Sequence, residues 1–228
     1  MEILFEDNHI LVVNKQCSDI VQGDKTGDTP LSETLKAYIK EKYHKPGEVF
    51  LGVPHRLDRP TSGVVLFART SKALTRLNNL FKEKDRIKKI YWAVVDQKPN
   101  PEAATLRHWL TRNTKQNKSY AHNEAIPGSQ EALLSYRWLD SSDNYYLIEI
   151  ELHTGRHHQI RAQLAAIGCR IKGDLKYGSP RSNPDGGIHL HARKIEFVHP
   201  VSKEEVRIIA PVPGDALWKY FEEKVGAL

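Results

Sequence analysis

One ten-residue stretch concentrates the groups of this chain that could do chemistry. Residues 54–63 hold one acid, Asp58, with two arginines, a histidine and two hydroxyl side chains. Two prolines in the stretch restrict its backbone, which favours a defined loop. The apolar run that follows, residues 63–68, predicts a strand, so these groups would lie at the edge of a rigid sheet, where catalytic residues often sit. A surface turn with local ion pairs is the alternative interpretation.

The elements that must position this loop are mostly strands. Runs of β-branched, aromatic and aliphatic residues predict strands at 3–5, 10–13, 63–68, 87–95, 105–110, 133–138, 145–152, 188–198 and 206–209. Many of these runs follow one another with no helix between them. The pattern favours an α+β domain with a mixed, mostly antiparallel sheet flanked by a few helices, and not a doubly wound fold.

Four helices are expected among the strands. Thr29 is placed to cap the first helix, with Pro30 at the first helical position. Ser71 is placed to cap the second. The third carries an apolar stripe and ends at Gly168, a good carboxyl-terminal cap, and the fourth is short, around residues 216–221.

Composition is consistent with a soluble protein that binds nucleic acid. The 228 residues are 39% hydrophobic and 27% charged, with a net charge of +6 and a pI near 9.2. A basic excess suits phosphate binding, although many soluble proteins are basic without such a role. Residues 112–130 are polar, basic and rich in Asn, and predict a long exposed connection or a hairpin, either solvated or in contact with RNA.

The sequence indicates a cytoplasmic protein without a metal site. Cys17 and Cys169 are far apart, and the chain has neither a secretory leader nor an apolar run of the about 20 residues that cross a bilayer. Nothing requires more than a monomer. Five histidines could cluster, but no cysteine or carboxylate spacing supports zinc; they are His153, His157, His158, His189 and His191. The absence of a Gly-x-Ser-x-Gly motif gives a hydrolase no support.

Residues 55–63 resemble the signature His-Arg-Leu-Asp-x-x-Thr-Ser-Gly of the RluA-type pseudouridine synthases. Four further segments resemble the family in the same order, including Lys-x-Tyr-x-Ala, Gly-Arg-x-His-Gln-Ile-Arg and Gly-Asp-x-x-Tyr-Gly; they are 89–95, 154–161, 171–178 and 189–200. The chain departs from the family at Gln16-Cys17-Ser18, where Pro-x-Gly is usual, and we expect a looser loop there.

The resemblance implies one catalytic domain over residues 1–228, without a separate RNA-binding module of the S4 type. It implies that the protein isomerises uridine to pseudouridine in structured RNA, without a cofactor or a metal. This RNA would be transfer RNA, ribosomal RNA or both. A non-catalytic RNA-binding member of the same fold is the alternative. Such a protein would have no reason to keep the family's aspartate together with its arginine partner.

Three residues match the family's catalytic positions. Asp58 matches the nucleophilic aspartate, and the sequence does not choose between attack on uracil carbon 6 and a glycal-type path. Arg161 matches the arginine that pairs with this aspartate and would keep it ionised. Tyr91 matches the tyrosine of the uracil pocket. Without the resemblance, Arg161 would be a polar residue on an amphipathic helix and Tyr91 a half-buried strand residue.

Five basic residues are candidates for binding RNA. Arg56 matches an arginine that fills the space left by the flipped-out uridine. Lys89, Arg156, Lys172 and Lys176 would contact phosphates. For Arg56 the alternative is a surface arginine that pairs with Asp58 or a nearby acid, and plain solvated surface charges are the alternative for the other four.

Overall fold

The computed structural model describes residues 2–23, 27–83 and 86–226. This part of the chain contains ten strands and four α-helices. The strands are β1 (Glu2–Glu6), β2 (Ile10–Lys15), β3 (Ser62–Ala68), β4 (Ile87–Val95), β5 (Ala103–Asn113), β6 (Lys118–His122), β7 (Gln130–Ser141), β8 (Tyr146–Leu152), β9 (Leu190–Val198) and β10 (Glu205–Ile209). The helices are α1 (Leu31–Lys42), α2 (Ser71–Lys82), α3 (Gln159–Ala166) and α4 (Ala216–Val225), and a short 3-10 helix covers Leu175–Tyr177.

All ten strands join one sheet in the order β1-β2-β3-β9-β4-β8-β7-β5-β6, with β10 paired to β9. The pairing of β3 with β9 is parallel, and the other pairings among the described strands are antiparallel. The expected α+β class with a mixed, mostly antiparallel sheet is therefore confirmed. None of the described helices is long and apolar enough to span a membrane.

The central strands of the sheet are buried on both faces because helices cover both. Alternating side chains of β2 and β3 point to opposite sides. Val12 and Leu66 pack with Leu77 of α2, whereas Val13 and Val65 pack on the α1 side. In the other half of the sheet, α3 covers the face that carries Tyr91, and α4 covers the opposite face. Strands β2 and β3, which are buried along their whole length, therefore read as nearly continuous apolar runs.

Two helices begin one residue away from the expected position. Pro30 is the N-cap of α1 and follows Thr29, instead of being the first helical residue. No side chain caps this helix, because its free amides bond to the main chain: Leu31 N donates to Ile20 O at 2.7 Å. Thr70, and not Ser71, caps α2, since its hydroxyl accepts from Ala73 N at 3.1 Å.

The polar segment 112–130 is a hairpin and not a featureless loop. Strand β5 continues to Asn113, and β6 returns beside it with Trp109 opposite His122. Strands β5 and β7 are both longer than expected because polar residues alternate with apolar ones at their ends, where one face is solvated. The third helix ends as expected, with Gly168 in the left-handed conformation at φ 81°.

The two halves of the sheet meet at the short parallel pairing of β3 with β9. Ser62 lies opposite His191 and Gly63 opposite Ala192. Gly63 has a φ of 112°, and a Cβ atom there would lie 2.3 Å from Ala192 O. Only glycine permits this backbone conformation and this close approach. Because Gly63 is the second residue of β3, and β3 begins directly after the Asp58 loop, the junction fixes where that loop enters the sheet.

We predict that Gly63→Ala lowers the free energy of unfolding by more than about 2 kcal/mol, because the new methyl group meets main-chain atoms at a strained φ. Urea unfolding monitored by circular dichroism measures the change. Gly47→Ala is the matched control, since a Cβ atom there meets nothing within 4 Å; we expect it to stay within about 0.5 kcal/mol of wild type. Equal stability of the two variants would contradict the proposed constraint.

Candidate active site

A buried lysine of β2 anchors the loop of residues 54–61 to the sheet. Lys15, at the end of β2, is fully buried and donates to three carbonyl oxygens. Its Nζ lies 2.9 Å from Gln16 O, 3.0 Å from Arg59 O and 2.7 Å from Thr61 O. Burial lowers the pKa of Lys15 to about 8. The bonds to Arg59 O and Thr61 O tie the turn after Asp58 to the sheet.

Further contacts fix the loop on its other sides. His55 Nε2 accepts from Leu66 N at 2.9 Å, and its ring stacks on Phe81 with centroids 4.5 Å apart. Burial, with the charge of Lys89, lowers the pKa of His55 to about 3. The segment that departs from the family pattern also contributes, because Ser18 N donates to Arg59 O at 3.1 Å. Residues 16–18 therefore contact the loop although they depart from the family pattern.

Arg161, on the first turn of α3, links two carboxylates. Its Nε and Nη2 donate to the two oxygens of Asp174 at 2.7 and 2.8 Å, and its Nη1 donates to Asp58 Oδ2 at 3.2 Å. Burial alone would lower the pKa of Arg161, but hydrogen bonds and charges of Asp174 and Asp58 outweigh it and raise the pKa. The side chain of Asp174 is 1% exposed and that of Asp58 is 30% exposed.

Tyr91 lies on β4, beside a register shift in the pairing with β9 between Ile90 and Tyr91. Tyr91 is 8% exposed. Burial, together with the charge of Asp58, raises the pKa of the Tyr91 phenol well above its ordinary value. The hydroxyl is therefore protonated at neutral pH, and the ring forms one wall of the site.

A cavity of about 620 Å³ brings most of the predicted residues together. Its lining includes Asp58, Tyr91 and Arg161, and also Arg56, Lys89 and Arg156. Arg56 and Arg156 are exposed at the rim, and burial lowers the pKa of Lys89. A larger cavity of about 1030 Å³, between α2 and β10, contains none of the predicted residues.

Two of the predicted lysines lie outside the lining of this cavity. Lys172 donates to Asn183 Oδ1 at 2.7 Å. Burial lowers the pKa of Lys172, although the negative charges of Asp215 and Asp185 act to raise it. Lys176 is exposed and donates to the carbonyl oxygens of Gln116 and Asn117 at 3.3 and 3.0 Å. Lys176 therefore lies next to the β5–β6 hairpin.

The five histidines of the possible cluster do not share one site. His157 and His158 stack at the cavity, whereas His189 and His191 pack against Trp218 of α4. Among the described residues, no group of three or more His, Cys, Asp or Glu side chains could hold a metal ion.

Sequence reasoning gave no role to Lys15, Asp174, His158 or Tyr177. Their contacts connect residues far apart along the chain, such as Arg161 with Asp58 and Lys15 with Thr61. Asp174 and Tyr177 lie in the family-like segment Gly-Asp-x-x-Tyr-Gly, and His158 is the histidine of Gly-Arg-x-His-Gln-Ile-Arg, so these two segments contained the signal for three of them. A buried-looking carboxylate near a candidate catalytic arginine was the feature that could have singled out Asp174.

The comparison with known proteins decides the family. The family model described as RNA pseudouridylate synthase matches residues 9–166. The chain belongs to the RNA pseudouridine synthase family. The resemblance to the RluA type is thereby confirmed, and the protein is an isomerase of this class.

Relatives and solved structures agree with this placement. The chain is 34% identical over 219 residues to the "uncharacterized RNA pseudouridine synthase YhcT" of Bacillus subtilis, covering 94% of this chain and 70% of the relative. It is 32% identical over 213 residues to the ribosomal large subunit pseudouridine synthase C of Rickettsia prowazekii, covering 92% and 68%. The solved structure of human RNA pseudouridylate synthase domain containing 4 matches with a TM-score of 0.79 at 23% identity, covering 98% and 92%, which supports the fold.

We predict that Asp174→Asn destabilises the synthase by about 3 kcal/mol or more, because it leaves the buried Arg161 without its enclosed counter-charge. Thermal and urea unfolding measure the loss. Glu33→Gln provides the comparison, since Glu33 pairs with Lys36 at 2.8 Å on an exposed helix surface; its cost should stay below about 1 kcal/mol. Equal losses in both variants would show that Asp174 is not the anchor of Arg161.

Proposed function

We propose that this synthase isomerises specific uridines of structured RNA, with Asp58 as its nucleophile. The observation that carries the proposal is the joint position of Asp58, Arg161 and Tyr91 at one cavity. In the reaction, the bond between ribose carbon 1′ and uracil nitrogen 1 breaks, the base turns, and carbon 1′ bonds to carbon 5. Carbon 5 loses a proton and nitrogen 1 gains one, so the reaction needs no oxidant and no water.

Asp58 begins the reaction because one of its oxygens is available to the substrate. Arg161 and His158 approach Oδ2, at 3.2 and 3.5 Å. Among the described residues, none donates a hydrogen bond to Oδ1. The bound guanidinium compensates the carboxylate charge at the edge of a partly water-excluding pocket, so Oδ1 acts as an oriented anion. The net reaction balances in the same way whether Asp58 attacks uracil carbon 6 or acts through a glycal-type path.

Tyr91 shapes the base pocket and assists the late proton transfer. Its ring stacks on the flipped uracil, and its hydroxyl, protonated at neutral pH, relays the proton from carbon 5. Leu57 and Ile160 supply apolar surface nearby, and both line the same cavity. This role predicts that the phenol donates and accepts a proton within one turnover, without ionising in the free enzyme.

The RNA approaches over the basic rim of the cavity. Flipping the target uridine costs a few kcal/mol, and Arg56 offsets this cost by occupying the vacated stack with its planar guanidinium. Lys89 and Arg156 contact the flanking phosphates at the cavity. Lys176 extends this path towards the β5–β6 hairpin. Lys172 is half-buried, and its amine would have to leave Asn183 to contact a phosphate.

The substrate class that we propose is ribosomal or transfer RNA, recognised by local stem-loop shape. Similar proteins are named ribosomal large subunit pseudouridine synthase C and D, which supports ribosomal RNA. We propose that the protein acts as a monomer in the cytoplasm. A non-catalytic RNA-binding protein is the second candidate, and the intact Asp58–Arg161 contact argues against it, because RNA binding alone does not use this contact.

A tritium-release assay tests the function. Total RNA labelled with tritium at uracil carbon 5 releases tritium when the carbon-5 proton is lost. We expect release with wild type and a rate reduced by more than about a thousandfold in Asp58→Ala, as is usual when a nucleophile is removed.

Asp143→Ala serves as the matched control, because Asp143 is an exposed carboxylate in the turn between β7 and β8; it should release tritium at the wild-type rate. No release from any RNA fraction by wild type would exclude the isomerase function. Equal release by wild type and Asp58→Ala would exclude the role of Asp58.

A further inference from the structure

His158 occupies a strained position between the cavity and the hairpin. It precedes α3 with φ 52° and ψ 26°, a left-handed conformation that non-glycine residues rarely adopt. The residue is 7% exposed. Its ring stacks on His157 with centroids 3.8 Å apart and meets the edge of Tyr177 at 5.7 Å.

Both ring nitrogens of His158 face polar partners. Nε2 lies 3.5 Å from Asp58 Oδ2, a contact longer than a regular hydrogen bond. Nδ1 lies 3.0 Å from the hydroxyl of Tyr177. That hydroxyl accepts a bond from Ser119 N at 2.9 Å. Its single proton then has two possible acceptors, Ser119 O at 3.1 Å and His158 Nδ1.

The protonation of His158 follows from these contacts. Burial, reinforced by the charge of Arg161, lowers the pKa of His158 to about 2, so the ring is neutral at pH 7 and carries one proton. If the Tyr177 proton points to Ser119 O, then Nδ1 of His158 must be the donor, and a bare Nε2 lone pair faces the Asp58 carboxylate. If the Tyr177 proton points to Nδ1, then Nε2 carries the proton and donates to Asp58. The second arrangement avoids the repulsion between the Nε2 lone pair and the Asp58 carboxylate.

We propose that Tyr177 holds His158 in the Nε2-protonated form, so that His158 is a positioning residue that donates to Asp58 Oδ2 beside Arg161. The proposal deepens the proposed function and rests on it for its catalytic consequence. Two donors on Oδ2 fix the rotation of the carboxylate and direct Oδ1 to the substrate. Ser119 lies on β6, so the same chain of contacts joins the β5–β6 hairpin to the nucleophile.

Two conservative substitutions separate the two ring nitrogens. The amide nitrogen of glutamine can replace Nε2, whereas that of asparagine replaces Nδ1 and does not reach Asp58. Asparagine is also the better residue for the left-handed backbone at this position. We expect His158→Asn to lower kcat about ten- to hundredfold with KM within twofold, and His158→Gln to retain kcat within about threefold. A purely structural role predicts the reverse order, because Gln is the more strained of the two.

The tautomer can be measured without any activity. Protein labelled with 15N-histidine is examined at pH 7 by long-range 1H–15N correlation, and His158 is assigned among the eleven histidines by its loss in His158→Gln. We expect a proton on Nε2 in wild type and a shift of population towards the other form in Tyr177→Phe. A proton on Nδ1 in wild type would overturn the proposal, even if Asp58 is the nucleophile. An inactive wild type with the Nε2 proton would instead count against the proposed function alone.

Discussion

The site depends on one buried guanidinium that must be neutralised. Arg161 is enclosed, and an unpaired charge at such a position costs several kcal/mol. Asp174 meets this requirement with two short hydrogen bonds and thereby fixes the plane of the guanidinium. The remaining nitrogen, Nη1, is then directed to Asp58. The arginine is rigid because of Asp174, and Asp58 is oriented because the arginine is rigid.

This orientation is useful only if Asp58 itself is held from the other side. Lys15 provides that support through two carbonyl oxygens of the loop, those of Arg59 and Thr61, and the Gly63 junction sets where the loop enters the sheet. Asp58 therefore lies where the two halves of the sheet meet, with α3 from one half facing a loop of the other. The mixed topology serves this purpose, since the parallel contact of β3 with β9 brings together segments that are over 100 residues apart, such as Ser62 and His191.

Local patterns predicted much of this structure, and long-range contacts account for the rest. Nine of the ten described strands, the four helices and the α+β class follow from periodicity and from caps such as Gly168, whereas periodicity does not predict the polar strand β6. The start of α1 was misplaced because main-chain atoms of Ile20 satisfy its amides, which no local pattern reveals. Asp58, Tyr91 and Arg161 were selected through family resemblance, and the structure brings them to one cavity. Asp174 and Lys15 were missed as partners because their roles arise from burial, which depends on the folded sheet.

Chemical mapping of pseudouridine in RNA from cells with and without the gene for this protein tests the role of Asp58 most directly. We predict that at least one pseudouridine in ribosomal or transfer RNA disappears in the cells that lack it. Wild-type protein should restore that position, and Asp58→Ala should not. Complete retention of every pseudouridine without the gene, or restoration by Asp58→Ala, would contradict the claim that Asp58 isomerises a uridine in these RNAs.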